Sequence, residues 1–205
     1  MPKKLPKDFY LRTDTIAVAK DLLGTTLVVP DEAGKRISGR IVEVEAYLGI
    51  EDKAAHSYGG RRTERTEVMY RAGGIAYVYF VYGMYHQFNV IAGPEEHPQG
   101  VLVRAVEPLE NIESMRARRG EMPDSNLTSG PGKLCIAMGI DRSLNGEDLT
   151  GGKVWIEEGR MNSSEFFESG RRIGIDYAEE YAAKPWRFWI AGNPFVSKAP
   201  RRTAK

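Results

Sequence analysis

Cysteine is almost absent from this sequence. Cys135 stands alone in 205 residues, so no internal disulfide framework can form and a reducing compartment is the expectation. Histidine is scarce too. With only His56, His86 and His97 a structural zinc cluster is not expected, and His86 and His97 have no partners at ligand spacing; no metal or cofactor is expected. No apolar run approaches about 20 residues, and the basic start MPKKLPKDF leads into no signal-peptide core. The expectation is an intracellular protein without membrane contact. A charge excess of one sign is also missing: 29 Lys and Arg face 28 Asp and Glu, for a net charge of +1. Nucleic-acid binders usually carry a basic excess, so the sum does not favour one. The distribution is less even. Arg61, Arg62, Arg65 and Arg71 crowd into GGRRTERTEVMYR, Arg116, Arg118 and Arg119 into SMRARRG, and KAPRRTAK at the end has four cations and no anion. Solvated surface and a loose tail account for such clusters as well as a phosphate track does.

Hydrophobic residues make up 41% of the chain, enough for a substantial core in one domain. RTDTIAVAKDLLG reads as a helix that Asp14 or Thr13 can cap and Gly24 stops. TTLVVP and ISGRIVEVEAYLG read as strands around the turn DEAGKR, and KVWIEEG and WRFWIAG as later strands. EPLENIESMRARRG is expected to be a helix ending at Gly120. TSGPGKLCIAMG is expected to be a second, with Pro131 in its first turn, Gly139 after its end and Cys135 inside the core. Strands and helices do not alternate regularly, which argues against a doubly wound sheet. No repeat or linker divides the chain, so one mixed α+β domain over residues 1–205 is expected, with residues 1–8 and 198–205 as flexible tails.

In RIVEVEAYLG, strand alternation puts Val42, Val44 and Ala46 on one face and Glu43, Glu45 and Tyr47 on the other. Periodicity alone favours a half-buried strand with a wet face. The stretch EDKAAHSYGG then brings His56 within a dozen residues of a carboxylate and a tyrosine, material for a base and a stacking pocket. Glu43 and Glu45 point the same way and cannot flank a glycosidic bond as paired sugar-hydrolase acids. SGPGKL is no nucleotide P-loop, because Leu127 stands where glycine is needed and Leu134 where Ser or Thr is needed. It remains a helix N-terminus with Lys133, suited to a nucleic-acid phosphate or to ordinary capping. YVYFVYGMYHQFNV carries tyrosines at 77, 79, 82 and 85 and reads as a hairpin around Gly83. A two-residue Gly83-Met84 turn aligns Tyr79 with His86 and Phe88. A three-residue tip, Tyr82-Gly83-Met84, aligns it with Tyr85, Gln87 and Asn89. Turn chemistry favours the first.

Taken in order, RIVEVEAYLG, EDKAAHSYGG, YVYFVYGMYHQFNV, VLVRAVEPLE, SGPGKL and KPWRFWIAGNPFVS resemble the alkyladenine (3-methyladenine) DNA glycosylase family, over about Phe9 to Ser197. The chain resembles its minimal catalytic domain. The resemblance implies a single α+β domain around a curved antiparallel β-sheet, with surrounding helices and a protruding hairpin that inserts into the DNA minor groove. It implies a monomer that acts on double-stranded DNA containing damaged purines, in the cytoplasm or nucleoid of a bacterium or the nucleus of a eukaryote. It implies Glu45 as the general base for water, Arg104 as its helper and the Val196 backbone as a further water contact. Tyr47 and His56 would form one wall of the base pocket and Tyr79 the other. Asn89 would exclude guanine, and Tyr82 would fill the gap left by a flipped nucleotide. Arg61, Arg62 and Lys133 are candidate phosphate contacts. The rival expectation is a non-catalytic nucleic-acid-binding module that uses the same tyrosines for stacking. On the family reading Tyr79 and Asn89 must share a face, which requires the wider hairpin tip or a bulge.

Overall fold

The computed structural model describes residues 2–198. Its framework is an eight-stranded, fully antiparallel, curled sheet. The strands are β1 (Thr26–Pro30), β2 (Arg36–Tyr47), β3 (Ala76–Val81), β4 (Tyr85–Ala92), β5 (Gln99–Glu110), β6 (Trp155–Glu157), β7 (Phe167–Gly170) and β8 (Arg187–Ile190). Their order is β3-β4-β5-β2-β1-β6, with β8 joining β2 and β7 joining β8. The α-helices are α1 (Lys7–Tyr10), α2 (Thr15–Leu22), α3 (Ile112–Arg119) and α4 (Pro131–Met138).

The long strand β2 organises the sheet. β5 lies along one of its edges. On the other edge the first half of β2 pairs with β1, through Arg36 to Arg40, and the second half with β8, through Glu43 to Glu45. Where the neighbour changes, the β2–β5 register shifts twice: Ile41 faces Val106, Glu43 faces Ala105 and Val44 faces Val103. Val42 and Arg104 are the residues left unpaired, and such irregularities bend a strand and re-aim its side chains. Arg104 is thereby turned to the same side as Glu43 and Glu45. Val42, Val44 and Ala46 face the other way, into the main core with Val90, Val101, Val103 and Phe88. Helices α2 and α4 cover that core. The Asp14 carboxylate caps α2 by accepting the Ala17 N–H at 2.9 Å. Gly24 stops it with φ +87°, at a point where a Cβ would lie 2.4 Å from the Arg160 carbonyl carbon.

Several sequence expectations change. Glu107 to Glu110 continue β5 rather than opening a helix, because pairing with Arg40, Gly39 and Ser38 extends the ladder to Glu110. Asn111, left-handed at φ 56°, turns the chain into α3. The face of β2 that carries Glu43 and Glu45 is not wet: both are fully buried. Residues 2–8 are not a loose tail. Leu5 is buried in the core, its amide bonds to the Ile156 carbonyl, and α1 begins at Lys7. The expected tail at the other end lies, from 199 onward, outside the described residues. Strand β7 carried no period-2 signal in FESG.

The β3–β4 hairpin takes the wider tip. Val81 pairs with Tyr85, Tyr79 with Gln87 and Tyr77 with Asn89. Tyr82 and Gly83 are both left-handed, at φ 54° and 67°. Two consecutive positive φ angles close the tip, and this overrides the two-residue turn that glycine placement alone suggested. Tyr82 is 76% exposed. A bulky residue held left-handed and in solvent contributes nothing to a core, and such strain collects at functional positions.

Candidate active site

One face of β2, β5, β4 and β3 forms the floor and one side of a pocket of about 170 Å³. The register explains which residues reach it. Tyr47 faces Gly100, Leu102 faces Asn89, Asn89 faces Tyr77 and Gln87 faces Tyr79, and all of them line the pocket. Ala54 and His56 close it from the loop after β2, Ile173 to Ile175 and Tyr177 from the segment after β7, and Tyr82 from the hairpin tip.

Beneath the pocket two buried carboxylates share one guanidinium. Arg104 donates from Nε to Glu43 at 2.9 Å, and a second nitrogen lies 3.2 Å from Glu45. Glu43 also accepts from Arg187 Nε at 2.7 Å, from the Ser197 amide at 2.7 Å and from the Ser197 hydroxyl at 2.8 Å. Three of these four donors meet Oε1 and one meets Oε2, and neither Arg187 nor Ser197 lines the pocket. Glu45 receives three contacts: Arg104, the Ile173 amide at 2.8 Å and the Tyr47 hydroxyl at 2.9 Å. These three partners of Glu45 all line the pocket. Burial works against the charge of Arg104, but Glu45 and Glu43 overcome it and hold the guanidinium above its ordinary range. Burial, then Glu45, pushes the Tyr47 phenol well up, so it stays protonated and donates.

Around this base the walls are aromatic. His56 meets Tyr79 edge-on with ring centroids 4.6 Å apart, and its Nδ1 lies 2.9 Å from the Tyr77 hydroxyl. His56 also meets Tyr77 edge-on, at 6.0 Å between ring centroids, and it lines the pocket together with Tyr47. Burial first, then the charges of Arg65 and Arg61, lowers His56 to about 4, so its ring is neutral at physiological pH. Tyr79 donates to Gln87 at 2.5 Å, which fixes the ring. Asn89 is buried and donates to the Tyr77 carbonyl at 3.1 Å.

The remaining sequence candidates separate. Tyr82 and Met84 stand out at the hairpin tip beside exposed Phe80, an apolar projection of the kind that marks a contact surface. Tyr85 packs over α4: a Cβ on Gly132 would lie 2.9 Å from its ring. Lys133 bonds to Asn126 on the same helix entrance, and burial lowers its pKa. Arg62 is held by Glu67 and Glu96, whereas Arg61 is exposed and makes no ion pair among the described residues. The Val196 amide bonds to Asn193, and its neighbour Ser197, not Val196, holds the carboxylate network at Glu43. Sequence reasoning passed over Arg172. It is fully buried, bonds to both oxygens of Asp52 at 2.6 and 2.8 Å and donates to the Ala46 carbonyl. A cation packed behind Tyr47 carries no periodic signal in RRIGID, and only the fold brings it there.

Comparison with known proteins adds the relationship. Residues 8–194 match the family model described as methylpurine-DNA glycosylase. Two similar proteins, each named "Putative 3-methyladenine DNA glycosylase", come from Clostridium acetobutylicum and Bacillus cytotoxicus. The first is 54% identical over 202 residues, covering 95% of this chain and 97% of its own. The second is 55% identical over 205 residues, covering 95% and 100%. A third of the same name, from Desulfitobacterium hafniense, is 50% identical over 203 residues, covering 95% and 98%.

Proposed function

The chain belongs to the methylpurine-DNA glycosylase family, and on that premise we propose that it flips damaged purines out of duplex DNA and hydrolyses their N-glycosidic bond with a water activated by Glu45. The observation that carries this reading is the contrast between the two buried carboxylates. Glu43 is held by Arg187 and Ser197, which lie away from the pocket, as well as by Arg104, whereas all three partners of Glu45 line it. A carboxylate in so enclosed a site can take a proton from water and stabilise the oxocarbenium-like sugar as the base departs. Arg104, 3.2 Å away, holds Glu45 in place. Tyr47 and His56 take one side of the base and Tyr79 the other. No lysine lines the pocket among the described residues, which supports a monofunctional reaction that leaves an abasic site without strand cleavage.

A base inside a duplex is out of reach, so the nucleotide must be extruded, and the hole it leaves is filled from the minor groove. Tyr82 is the wedge. Tyr82→Ser is expected to slow excision while melting temperature stays within about 1–2 °C of wild type, as an exposed residue away from the core requires. A large loss of stability would return Tyr82 to the core. Asn89 narrows the pocket where the 2-amino group of guanine would enter. Asn89→Ala is expected to raise release of undamaged guanine, read as free base from a lesion-free duplex. Arg61 and Lys133 are the phosphate contacts of this reading, and Arg62, engaged by two glutamates, is the weaker candidate.

The test is an excision assay over duplexes containing hypoxanthine, 7-methylguanine, 3-methyladenine or 1,N6-ethenoadenine. Free base with an intact backbone is the expected product. Tight binding to all four with release of none would leave only the binding-module reading.

A further inference from the structure

Both aromatic walls of the pocket are backed by an arginine. The Arg172 guanidinium lies 4.6 Å from the centroid of Tyr47 and 5.0 Å from that of Trp186. The Arg65 guanidinium lies 5.0 Å from the centroid of Tyr79. Neither arginine lines the pocket that the two tyrosines line. Arg65 instead lines an adjoining groove along β3, with Tyr79, Phe80 and Arg142. The two backings differ in charge. Asp52 neutralises Arg172 through two short contacts within the protein. Arg65 makes no ion pair among the described residues, although Glu64 borders the same groove.

Resting on the glycosylase reading above, we propose that Arg65 is a specificity-determining residue: it sets the charge preference of the pocket by backing Tyr79 with an uncompensated cation, and so biases the protein toward neutral damaged purines over positively charged ones. A ring face attracts a cation through its quadrupole. When one cation already occupies the outer face of Tyr79, a second on the inner face meets π density drawn away from it, together with direct repulsion through the ring. A neutral base such as hypoxanthine stacks without that penalty. A base with a formal positive charge, such as 7-methylguanine, bears it. The Arg65 field reaches into the site, since it is among the charges that keep His56 neutral. Arg65 is exposed, so water screens it, and a contribution of the size of an exposed cation–π contact corresponds to about two- to fivefold in relative rate. Arg172, cancelled by Asp52, fixes the Tyr47 ring without such a bias.

The experiment measures single-turnover release of hypoxanthine and of 7-methylguanine from one duplex context, for wild type, Arg65→Gln and Arg65→Lys. The ratio of 7-methylguanine to hypoxanthine rates is expected to rise about two- to fivefold in Arg65→Gln and to stay near wild type in Arg65→Lys. An unchanged ratio with both rates lowered together would make Arg65 a phosphate contact and overturn the proposal. An equal rise in Arg65→Lys would overturn it too, because charge would not be the cause. A wild-type protein that releases neither base would instead overturn the glycosylase reading, and this proposal with it.

Discussion

Glu45→Gln is expected to bind lesion-containing DNA and release no base. Glutamine keeps the shape of the side chain and an acceptor for the Ile173 amide, which lies 2.8 Å from Glu45. It cannot take a proton from water. General-base catalysis contributes about 10²–10⁴-fold, and the loss of negative charge beside a developing oxocarbenium adds to that, so excision should fall to background. Binding should hold or tighten, because a carboxylate near a polyanion opposes it and the amide does not. Stability should fall less than in a Glu43 variant, since Arg104 keeps Glu43 at 2.9 Å and Arg187 does not touch Glu45. The measurement is a gel-shift titration beside single-turnover excision on the same hypoxanthine duplex. Retained excision would remove Glu45 from the chemistry. Loss of binding along with excision would show that the carboxylate supports the pocket rather than the reaction.

That division of labour between neighbouring glutamates marks how far the sequence could be read. VEVEAY shows two acids and a tyrosine on one strand face, and the ordered motifs tie Glu45, Arg104, Tyr47, His56, Tyr79, Asn89 and Tyr82 together by resemblance. The structure lines one pocket with Arg104, Tyr47, His56, Tyr79 and Asn89, puts Glu45 beneath it against Arg104 and sets Tyr82 at its lip. What period 2 could not show is that the acid-bearing face is buried. That depends on β8 and the Ser197 region arriving from 140 or more positions away to satisfy Glu43. Nor could turn chemistry choose the hairpin tip. Glycine at 83 fits two registers, and the cross-strand pairs of Tyr77 and Tyr79 with Asn89 and Gln87 decide between them. Glu107 to Glu110 were misread for a related reason: their helix-favouring composition yields to a ladder already running along β2. Arg172 and Asp52 were invisible because a buried ion pair is made by two distant segments, each unremarkable alone.

Glu43→Gln is the complementary experiment, and its expected result is instability rather than a chemical defect. Glu43 is fully buried and compensates two guanidiniums, Arg104 and Arg187, that are themselves nearly so. Removing one partner of a buried ion pair leaves an uncompensated charge and costs about 3–5 kcal/mol. Against a typical folding stability of about 5–15 kcal/mol, that is a large fraction. For a domain of this size it corresponds to a melting temperature lower by about 6–20 °C. The Ser197 amide and hydroxyl lose their shared acceptor as well, so the chain near its last described residues should loosen from β2 and β8. Urea unfolding followed by tryptophan fluorescence reads the effect, because Trp189 lies on β8 opposite Glu43. Excision by the fraction that remains folded should survive in part, since Glu45 keeps Tyr47 and Ile173 even when Arg104 is disturbed. If Glu43→Gln proved as stable as wild type and as inactive as Glu45→Gln, the two carboxylates would act as one catalytic unit, and the distinction between a structural glutamate held away from the pocket and a reactive one held at it would fail.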